Sequence, residues 1–135
     1  WADWCPPCIK EIPELNKLKN NFSSQVNVFL FNFDRLEGEE LSEQLVKFKV
    51  EVPSLLTDPK KIFGYIVPEA LPVSFIIDEN GQYLKTLKGP QTLDSLKIAL
   101  EINSIRLQDL IFRLKKISQN VDEHQLLFLK IQRTQ

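Results

Sequence analysis

The two cysteines are the feature that most constrains how this chain can fold. Cys5 and Cys8 stand directly before residues 9–22, in which apolar side chains recur at helical spacing. The first turn of a helix has unpaired backbone N–H groups and the positive end of the helix dipole, and both stabilise a thiolate. The thiolate, rather than the thiol, attacks a disulfide. The sequence therefore predicts a reactive Cys5, with the Cys8 sulfur one turn further on and within its reach.

Two other roles for the cysteine pair are less compatible with the sequence. A zinc site usually takes four ligands, and the only histidine, His124, lies far along the chain. A purely structural disulfide between Cys5 and Cys8 would close a loop too short to restrain much chain entropy. The remaining interpretation is a redox dithiol, in which Cys5 attacks a partner disulfide and Cys8 then releases the partner by attacking the mixed disulfide.

The rest of the chain alternates between helical and strand patterns. In chain order these patterns predict a helix over 9–22, a buried parallel strand over 26–33, a helix over 39–48, a short strand over 52–56, a brief helix opened by Pro59, a buried strand over 73–78, an antiparallel strand over 83–88 and a helix from Thr92 to about residue 102. Pro13 is expected to kink the first helix, and Asn80-Gly81 favours a tight hairpin turn. This order is typical of a layered α/β fold.

Length, charge and hydropathy limit the function further. The 135 residues suit one domain, and the net charge of −1 gives no reason to expect nucleic acid or an anionic membrane as a partner. No apolar run approaches the roughly 18 residues of a transmembrane helix. The sequence begins at Trp1 without Met, so an export signal or anchor upstream would not be visible. Residues 103–135 contain neither Gly nor Pro and predict a mainly helical extension, which either packs over the domain or docks a partner.

Several strings in the sequence resemble one known family. The string WADWCPPC at 1–8 resembles the WAxWCxxC signature of thioredoxin-like proteins, and is most similar to the TlpA-like and ResA-like branch of exported bacterial thiol-disulfide oxidoreductases. Pro13, the string LPVSFIID at 71–78 and the hairpin string that follows it resemble further parts of that family. The resemblance covers about residues 1–102. It implies a three-layer α/β/α thioredoxin-like domain there, followed by the extension at 103–135.

The resemblance also implies a set of site residues. They are Cys5 and Cys8 as the catalytic thiols, and Trp4, Pro7, Leu71 and Pro72 as substrate contacts. Pro72 would be cis, and the bend would bring Leu71 beside Cys5, where its backbone pairs with an incoming peptide strand. The alternatives are an ordinary trans proline that opens a strand, and a Trp4 that is a plain core aromatic. No cofactor and no metal are implied.

The sequence departs from the family pattern in two places. The family's central strand lies directly before WAxWC, between the strands expected at 26–33 and 73–78. Because the chain starts at the end of that strand, we expect a fragment, or another segment in its place, since both strands would otherwise lack a shared neighbour. The second departure concerns the carboxylate that relatives place near the thiols. Asp34 and Glu37 are candidates, but Arg35 lies between them, and a solvated charged loop is the alternative.

Three functions are compatible with these observations. The resemblance implies a reductase of protein disulfides outside the cytoplasm, with substrates such as apocytochrome c and other exported thiol proteins. A membrane-bound or thioredoxin-type electron donor would then re-reduce the Cys5–Cys8 disulfide. The second hypothesis is a cytosolic reductase similar to tryparedoxin or nucleoredoxin. The third is an inactive, truncated scaffold that keeps the motif.

Overall fold

The computed structural model describes residues 1–102, so the predicted extension at 103–135 and His124 lie outside the described residues. Residues Trp1–Leu100 form one compact unit. Its elements are α1 (Pro6–Phe22), β1 (Leu30–Phe31), α2 (Gly38–Lys47), β2 (Ser54–Leu55), α3 (Lys60–Phe63), β3 (Val73–Ile77), β4 (Tyr83–Lys88) and α4 (Leu93–Ala99). The predicted order of helices and strands is confirmed in this range. No helix among these residues is long and apolar enough to cross a membrane.

Helix α1 begins at Pro6 rather than at residue 9. Cys5 is its N-cap, and Pro6 and Pro7 occupy the first turn, where a missing backbone N–H costs no helical hydrogen bond. Pro13 lies inside the helix. The buried face of α1 follows the spacing seen in the sequence and consists of Cys8, Glu11, Ile12, Leu15 and Leu18. Helix α1 packs against α4, whose N-cap Thr92 forms a capping box with Ser95.

Strand β1 is shorter than the apolar run that predicted it. It pairs in parallel with β2 over two positions, Leu30 with Ser54 and Phe31 with Leu55. The parallel pairing is as expected, but the strand does not extend over 26–33. A strand needs a partner for each of its backbone groups, and β2 offers partners over this short length only.

Burial along β1 is one-sided. Leu30 and Asn32 are buried, whereas Phe29 and Phe33 on either side of them are about half exposed. This alternation has the period of two that a strand with one covered face shows. Of the run predicted as a buried strand over 26–33, the structure therefore buries one face at residues 29–33.

Trp1 lies alongside β1, on the edge opposite β2. Its amino group donates a hydrogen bond to the Phe31 carbonyl at 3.0 Å, and its carbonyl accepts one from the Phe33 N–H at 2.8 Å. Two bonds from one residue to positions two apart on its neighbour are the pattern of a parallel ladder. The segment that leads into Cys5 is thus aligned with β1.

Strands β3 and β4 form the predicted antiparallel hairpin. Val73 pairs with Lys88 at one end and Ile77 with Tyr83 at the other. At the turn, Gly81 has φ of +78°, which a glycine adopts at little cost. The Asp78 carboxylate accepts hydrogen bonds from two backbone N–H groups of the turn, those of Asn80 and Gln82.

The two pairs of strands form separate sheets. Within residues 1–102, β1–β2 and β3–β4 share no strand. In this range β3 pairs with a strand along only one of its edges. Side-chain contacts, rather than a continuous sheet, therefore connect the loop after β1 to β3.

Candidate functional site

Cys5 and Cys8 are joined by a disulfide at the start of α1. The S–S distance is 2.06 Å and the two Cα atoms lie 5.3 Å apart. Both residues are almost fully buried, at 5% and 1% exposed. The Cys8 backbone N–H donates to the Cys5 sulfur over 3.3 Å. The helix start therefore directs a donor at the Cys5 sulfur, an arrangement that stabilises a thiolate there once the disulfide is reduced.

The Leu71–Pro72 turn lies beside this disulfide. The peptide bond between the two residues is cis, and Pro72 is buried. Leu71 packs against the buried cluster that Ala2 forms with the two cysteines. The structure thus brings together the cysteine pair and the turn, although they are separated by more than sixty residues in the sequence.

Trp4 lies on the surface next to Cys5. It is 59% exposed, and its ring meets Phe33 edge to face, with the ring centroids 5.9 Å apart. Its indole N–H donates to the Asp34 carboxylate over 2.8 Å. The alternative of a plain core aromatic is therefore wrong. Pro7, the other residue of the motif expected to contact substrate, is partly buried in the first turn of α1.

The two carboxylates considered near the thiols have other surroundings. Asp34 is exposed and holds the Trp4 indole, and Glu37 is the exposed N-cap residue of α2. Arg35, between them in sequence, pairs with Asp58 at 3.2 Å. The alternative of a solvated charged loop describes Asp34 and Glu37 better than a buried acid does.

Glu11 is a buried acid that the sequence analysis missed. It lies one helical turn after Cys8 on the buried face of α1 and is only 5% exposed. Burial raises the pKa of this carboxyl above its ordinary value, while the hydrogen bond from Gln91 and the amino group of Trp1 act in the opposite direction. The signal was available, because Glu11 interrupts a helix face whose other members are Cys8, Ile12 and apolar residues beyond.

Glu11 also connects α1 to the loop that holds Pro72. Its Oε1 accepts the Gln91 backbone N–H at 3.0 Å. The Gln91 side chain donates to the Gly89 carbonyl at 3.1 Å, and the Gly89 N–H donates to the Pro72 carbonyl at 3.0 Å. Hydrogen bonds thus link the helix of the cysteines to the cis turn through a single loop.

The chemistry available at this site is that of sulfur. In the described part of the chain, no three His, Cys, Asp or Glu side chains are grouped so that they could hold a metal ion. The arrangement consists of a disulfide at a helix start, an exposed indole that directly precedes it in the chain, and a cis turn whose Leu71 packs against it. Such a site can exchange electrons with a thiol or a disulfide through a mixed disulfide.

A sequence model described as the AhpC/TSA family matches residues 1–84. This chain belongs to the AhpC/TSA family. Thiol-disulfide oxidoreductase ResA of Bacillus cereus is 32% identical to it over 98 residues, which make up 72% of this chain and 56% of that protein. Sporulation thiol-disulfide oxidoreductase A of Bacillus subtilis is 30% identical over 102 residues, 72% of this chain and 61% of that protein. The chain thus spans little more than half the length of these relatives.

Solved structures agree with this family. The crystal structure of StoA from Bacillus subtilis matches with a TM-score of 0.58 and 28% identity, over 72% of this chain and 75% of that one. A thiol:disulfide interchange protein DsbE from Chlorobium tepidum, at 24% identity and a TM-score of 0.57, covers 77% of this chain and 74% of that one and supports the fold alone. The fold is thioredoxin-like, so the predicted fold class and the resemblance to the ResA-like branch are confirmed.

Proposed function

We propose that this protein is a thiol-disulfide oxidoreductase that reduces disulfides of protein substrates through Cys5 and Cys8. The observation that carries the proposal is the joint placement of the cysteine pair at the start of α1 and of Leu71 against it. The names of the relatives, which describe thiol-disulfide oxidoreductases, support the same chemistry.

The reaction proceeds in two exchanges. In the reduced protein, the Cys5 thiolate attacks one sulfur of the substrate disulfide, forms a mixed disulfide and expels the other sulfur as a thiolate, which takes up a proton. The Cys8 thiolate then attacks the Cys5 sulfur, so that the Cys5–Cys8 disulfide forms and the second substrate sulfur leaves as a thiol. Two electrons pass from the cysteine pair to the substrate.

The environments of the two sulfurs support these roles. Cys5 is the N-cap of α1, and its sulfur accepts the Cys8 N–H, so its thiolate is the better stabilised of the two. Cys8, at 1% exposed, is even less accessible than Cys5 at 5%, and it lies inside the helix beside the Cys5 sulfur. Cys5 therefore attacks the substrate, and Cys8 resolves the mixed disulfide.

The turn and the motif residues provide the contacts for a polypeptide. The Leu71 backbone pairs with an extended substrate segment, as an added strand does, while the substrate disulfide meets Cys5. Trp4 and Pro7, the motif residues next to the cysteines, provide further contacts to the substrate. Asp34 supports this role for Trp4, because its carboxylate holds the exposed indole in one orientation.

We further propose that the substrates are exported proteins and that a membrane-bound or thioredoxin-type donor re-reduces the cysteine pair. The support is the resemblance of residues 1–8 and 71–78 to the exported TlpA-like and ResA-like branch. Fractionation of cells that express the protein from its own gene tests the location. Recovery outside the cytoplasm is expected, and recovery in the cytosol would favour the tryparedoxin-like or nucleoredoxin-like alternative.

Reduction of insulin by dithiothreitol tests the chemistry. We expect the protein to accelerate the reaction, Cys5→Ser to abolish the acceleration, and Cys8→Ser to accumulate mixed disulfides that a non-reducing gel reveals. An inactive scaffold would give no rate that depends on Cys5. If Cys5→Ser kept full activity while Cys8→Ser trapped nothing, the assigned roles would be wrong.

The direction of transfer has its own test. A reductase requires a reducing couple, and a difference of about 30 mV corresponds to about 1.4 kcal/mol for two electrons. Equilibration of the cysteine pair with glutathione buffers measures its potential. A value as high as about −120 mV, typical of a strong oxidant, would contradict the proposal of a reductase.

A further inference from the structure

The Asp58 carboxylate joins three parts of the chain. Its Oδ2 accepts the Arg35 guanidinium at 3.2 Å, and its Oδ1 accepts the Lys60 backbone N–H at 2.9 Å and the Tyr65 hydroxyl at 3.3 Å. The Asp58 side chain is 19% exposed, whereas that of Arg35 is 71% exposed. Asp58 thus anchors the segment that precedes the Leu71–Pro72 turn to the loop that follows β1.

Tyr65 extends this contact to β3. It is buried, and its ring is stacked on Phe75 with the centroids 3.8 Å apart and the planes 15° from parallel. Phe75 lies on β3, three residues after Pro72. Burial, with a contribution from Asp58, raises the pKa of Tyr65 to about 12, so its hydroxyl stays protonated and donates to Asp58 at neutral pH.

The other end of the contact reaches the cysteine motif. Arg35 directly follows Asp34, whose carboxylate holds the Trp4 indole. The Arg35 backbone has φ of +58°, a conformation that is uncommon for a residue with a side chain, and its N–H is bonded to the Asn32 carbonyl. Asp34 and Arg35 are neighbours in the chain but bind different partners. Asp34 accepts the Trp4 indole N–H, and Arg35 pairs with Asp58.

We define the brace as Arg35, Asp58, Tyr65 and Phe75. It spans from the loop beside Trp4 to the strand that follows the cis turn. Within residues 1–102 the sheets β1–β2 and β3–β4 share no strand, so backbone pairing does not fix this distance. The brace supplies a connection by side chains where the sheet supplies none.

We propose that Asp58 is a positioning residue, which through the brace sets the spacing between Trp4, next to Cys5 in the chain, and the Leu71–Pro72 turn, which packs against the cysteine pair. The inference rests on the proposed thiol-disulfide exchange and names its substrate class, disulfides within extended polypeptide segments. A polypeptide that contacts both Trp4 and the turn depends on their spacing. A low-molecular-weight disulfide needs only to reach the Cys5 sulfur.

A role in stability alone does not explain the Arg35–Asp58 pair. The Arg35 end of the ion pair is exposed, and exposed pairs contribute little to the free energy of unfolding. A small displacement of a group that positions a substrate, by contrast, changes a rate strongly. Loss of this pair should therefore change catalysis more than it changes the free energy of unfolding.

The test compares two substrates in three variants. Asp58→Asn keeps the oxygen that accepts the Lys60 and Tyr65 donors but loses the charge paired with Arg35. Tyr65→Phe keeps the stack on Phe75 and loses the hydroxyl. Arg35→Gln changes an exposed residue, so folding is preserved if either of the other variants is unstable. The substrates are insulin and hydroxyethyl disulfide, each with dithiothreitol as reductant, and unfolding in urea is recorded in parallel.

We expect kcat/KM for insulin to fall about tenfold in Asp58→Asn, mainly through KM, and less in the other two variants. Rates with hydroxyethyl disulfide should stay within about twofold of wild type. The matched control is Asp78→Asn, since Asp78 also holds backbone N–H groups of a loop, but at the end of β3 away from Pro72. It should leave both substrates unaffected.

The outcomes separate this inference from the proposed function. Equal losses for both substrates, or no loss for either, would overturn the role of Asp58 while leaving the oxidoreductase intact. An equal effect of Asp78→Asn would assign the change to general loosening and would also overturn it. If wild type reduced neither substrate in a manner dependent on Cys5, the proposed function would be wrong and the inference would fall with it.

Discussion

Helix α1 and strand β1 both bury apolar side chains, yet they depend on the rest of the chain to very different degrees. Helix α1 pairs its own backbone groups, and its spacing of apolar residues alone selects the face that it buries. Strand β1 needs neighbours on both edges, and it is short where β2 is short. Segments that satisfy their own hydrogen bonds are therefore specified locally, whereas strands are specified by what lies beside them.

Truncation of the α1 core tests the first half of this comparison and carries the largest expected effect. Ile12 is 1% exposed on the buried face of the helix. Ile12→Ala removes buried methylene groups and leaves a cavity, so the free energy of unfolding should fall by about 2–5 kcal/mol. Urea denaturation monitored by circular dichroism measures it. A loss below about 1 kcal/mol would show that α1 is not the core that its spacing indicates.

The cap of α4 is a second locally specified feature. Thr92 accepts the Ser95 N–H, and the Ser95 hydroxyl accepts the Thr92 N–H in return. Thr92→Ala removes one of these acceptors, and a loss of about 1 kcal/mol in the free energy of unfolding is expected. Thr86→Ala on β4 serves as a control for the loss of a hydroxyl away from a helix end. Similar losses in both variants would argue against a specific capping effect.

Glu11, the buried acid of α1, should make the free energy of unfolding depend on pH. The pKa of Glu11 is raised by burial above its ordinary value of 4.5, so the folded state holds this proton at pH values where the unfolded state has released it. The contribution of Glu11 to stability is therefore present below pH 4.5 and is lost as the pH rises through its folded pKa.

Glu11→Gln removes this titration and keeps an oxygen that can accept the Gln91 N–H. The stability of the variant relative to wild type should therefore increase from pH 4 toward pH 7, as urea denaturation at several pH values would measure. Glu14→Gln, at an acid of α1 whose pKa is lowered by Lys17 and by the Leu93 N–H, should show the opposite trend. If the difference in unfolding free energy between Glu11→Gln and wild type did not vary with pH, the raised pKa of the buried Glu11 carboxyl would be contradicted.

The exposed side of β1 should show the smallest effect. Phe29 is about half exposed, so Phe29→Ser removes only about half of the buried surface that a core phenylalanine would lose. We expect the free energy of unfolding to fall by about 1 kcal/mol or less. A loss similar to that of Ile12→Ala would mean that β1 is covered on both faces in solution, as its apolar sequence indicates.

The sequence predicts the local parts of this molecule well. The placement of the cysteines at a helix start follows from their spacing, and the hairpin follows from Asn80-Gly81. The length and the one-sided burial of β1 do not follow, because they depend on a partner strand more than twenty residues away. Residues 103–135 stay a prediction.

In the candidate site, too, the features specified locally are predicted and those that depend on distant contacts are not. Cys5 and Cys8 were accessible from their spacing, and Leu71 from a resemblance. Glu11 was missed because a glutamate in a helix is usually solvated, and its burial depends on Gln91, which is 80 residues further along the chain. The brace was missed for a similar reason, since it joins residues that share no sequence motif.

The position of Trp4 has a practical consequence for experiments on this chain. Both tryptophans of the protein lie within four residues of Cys5, and a disulfide quenches the emission of an indole close to it. The tryptophan fluorescence of the chain thus originates next to the reacting sulfurs. Reduction of the Cys5–Cys8 bond should brighten this emission, so the oxidation state can be followed in real time without a label.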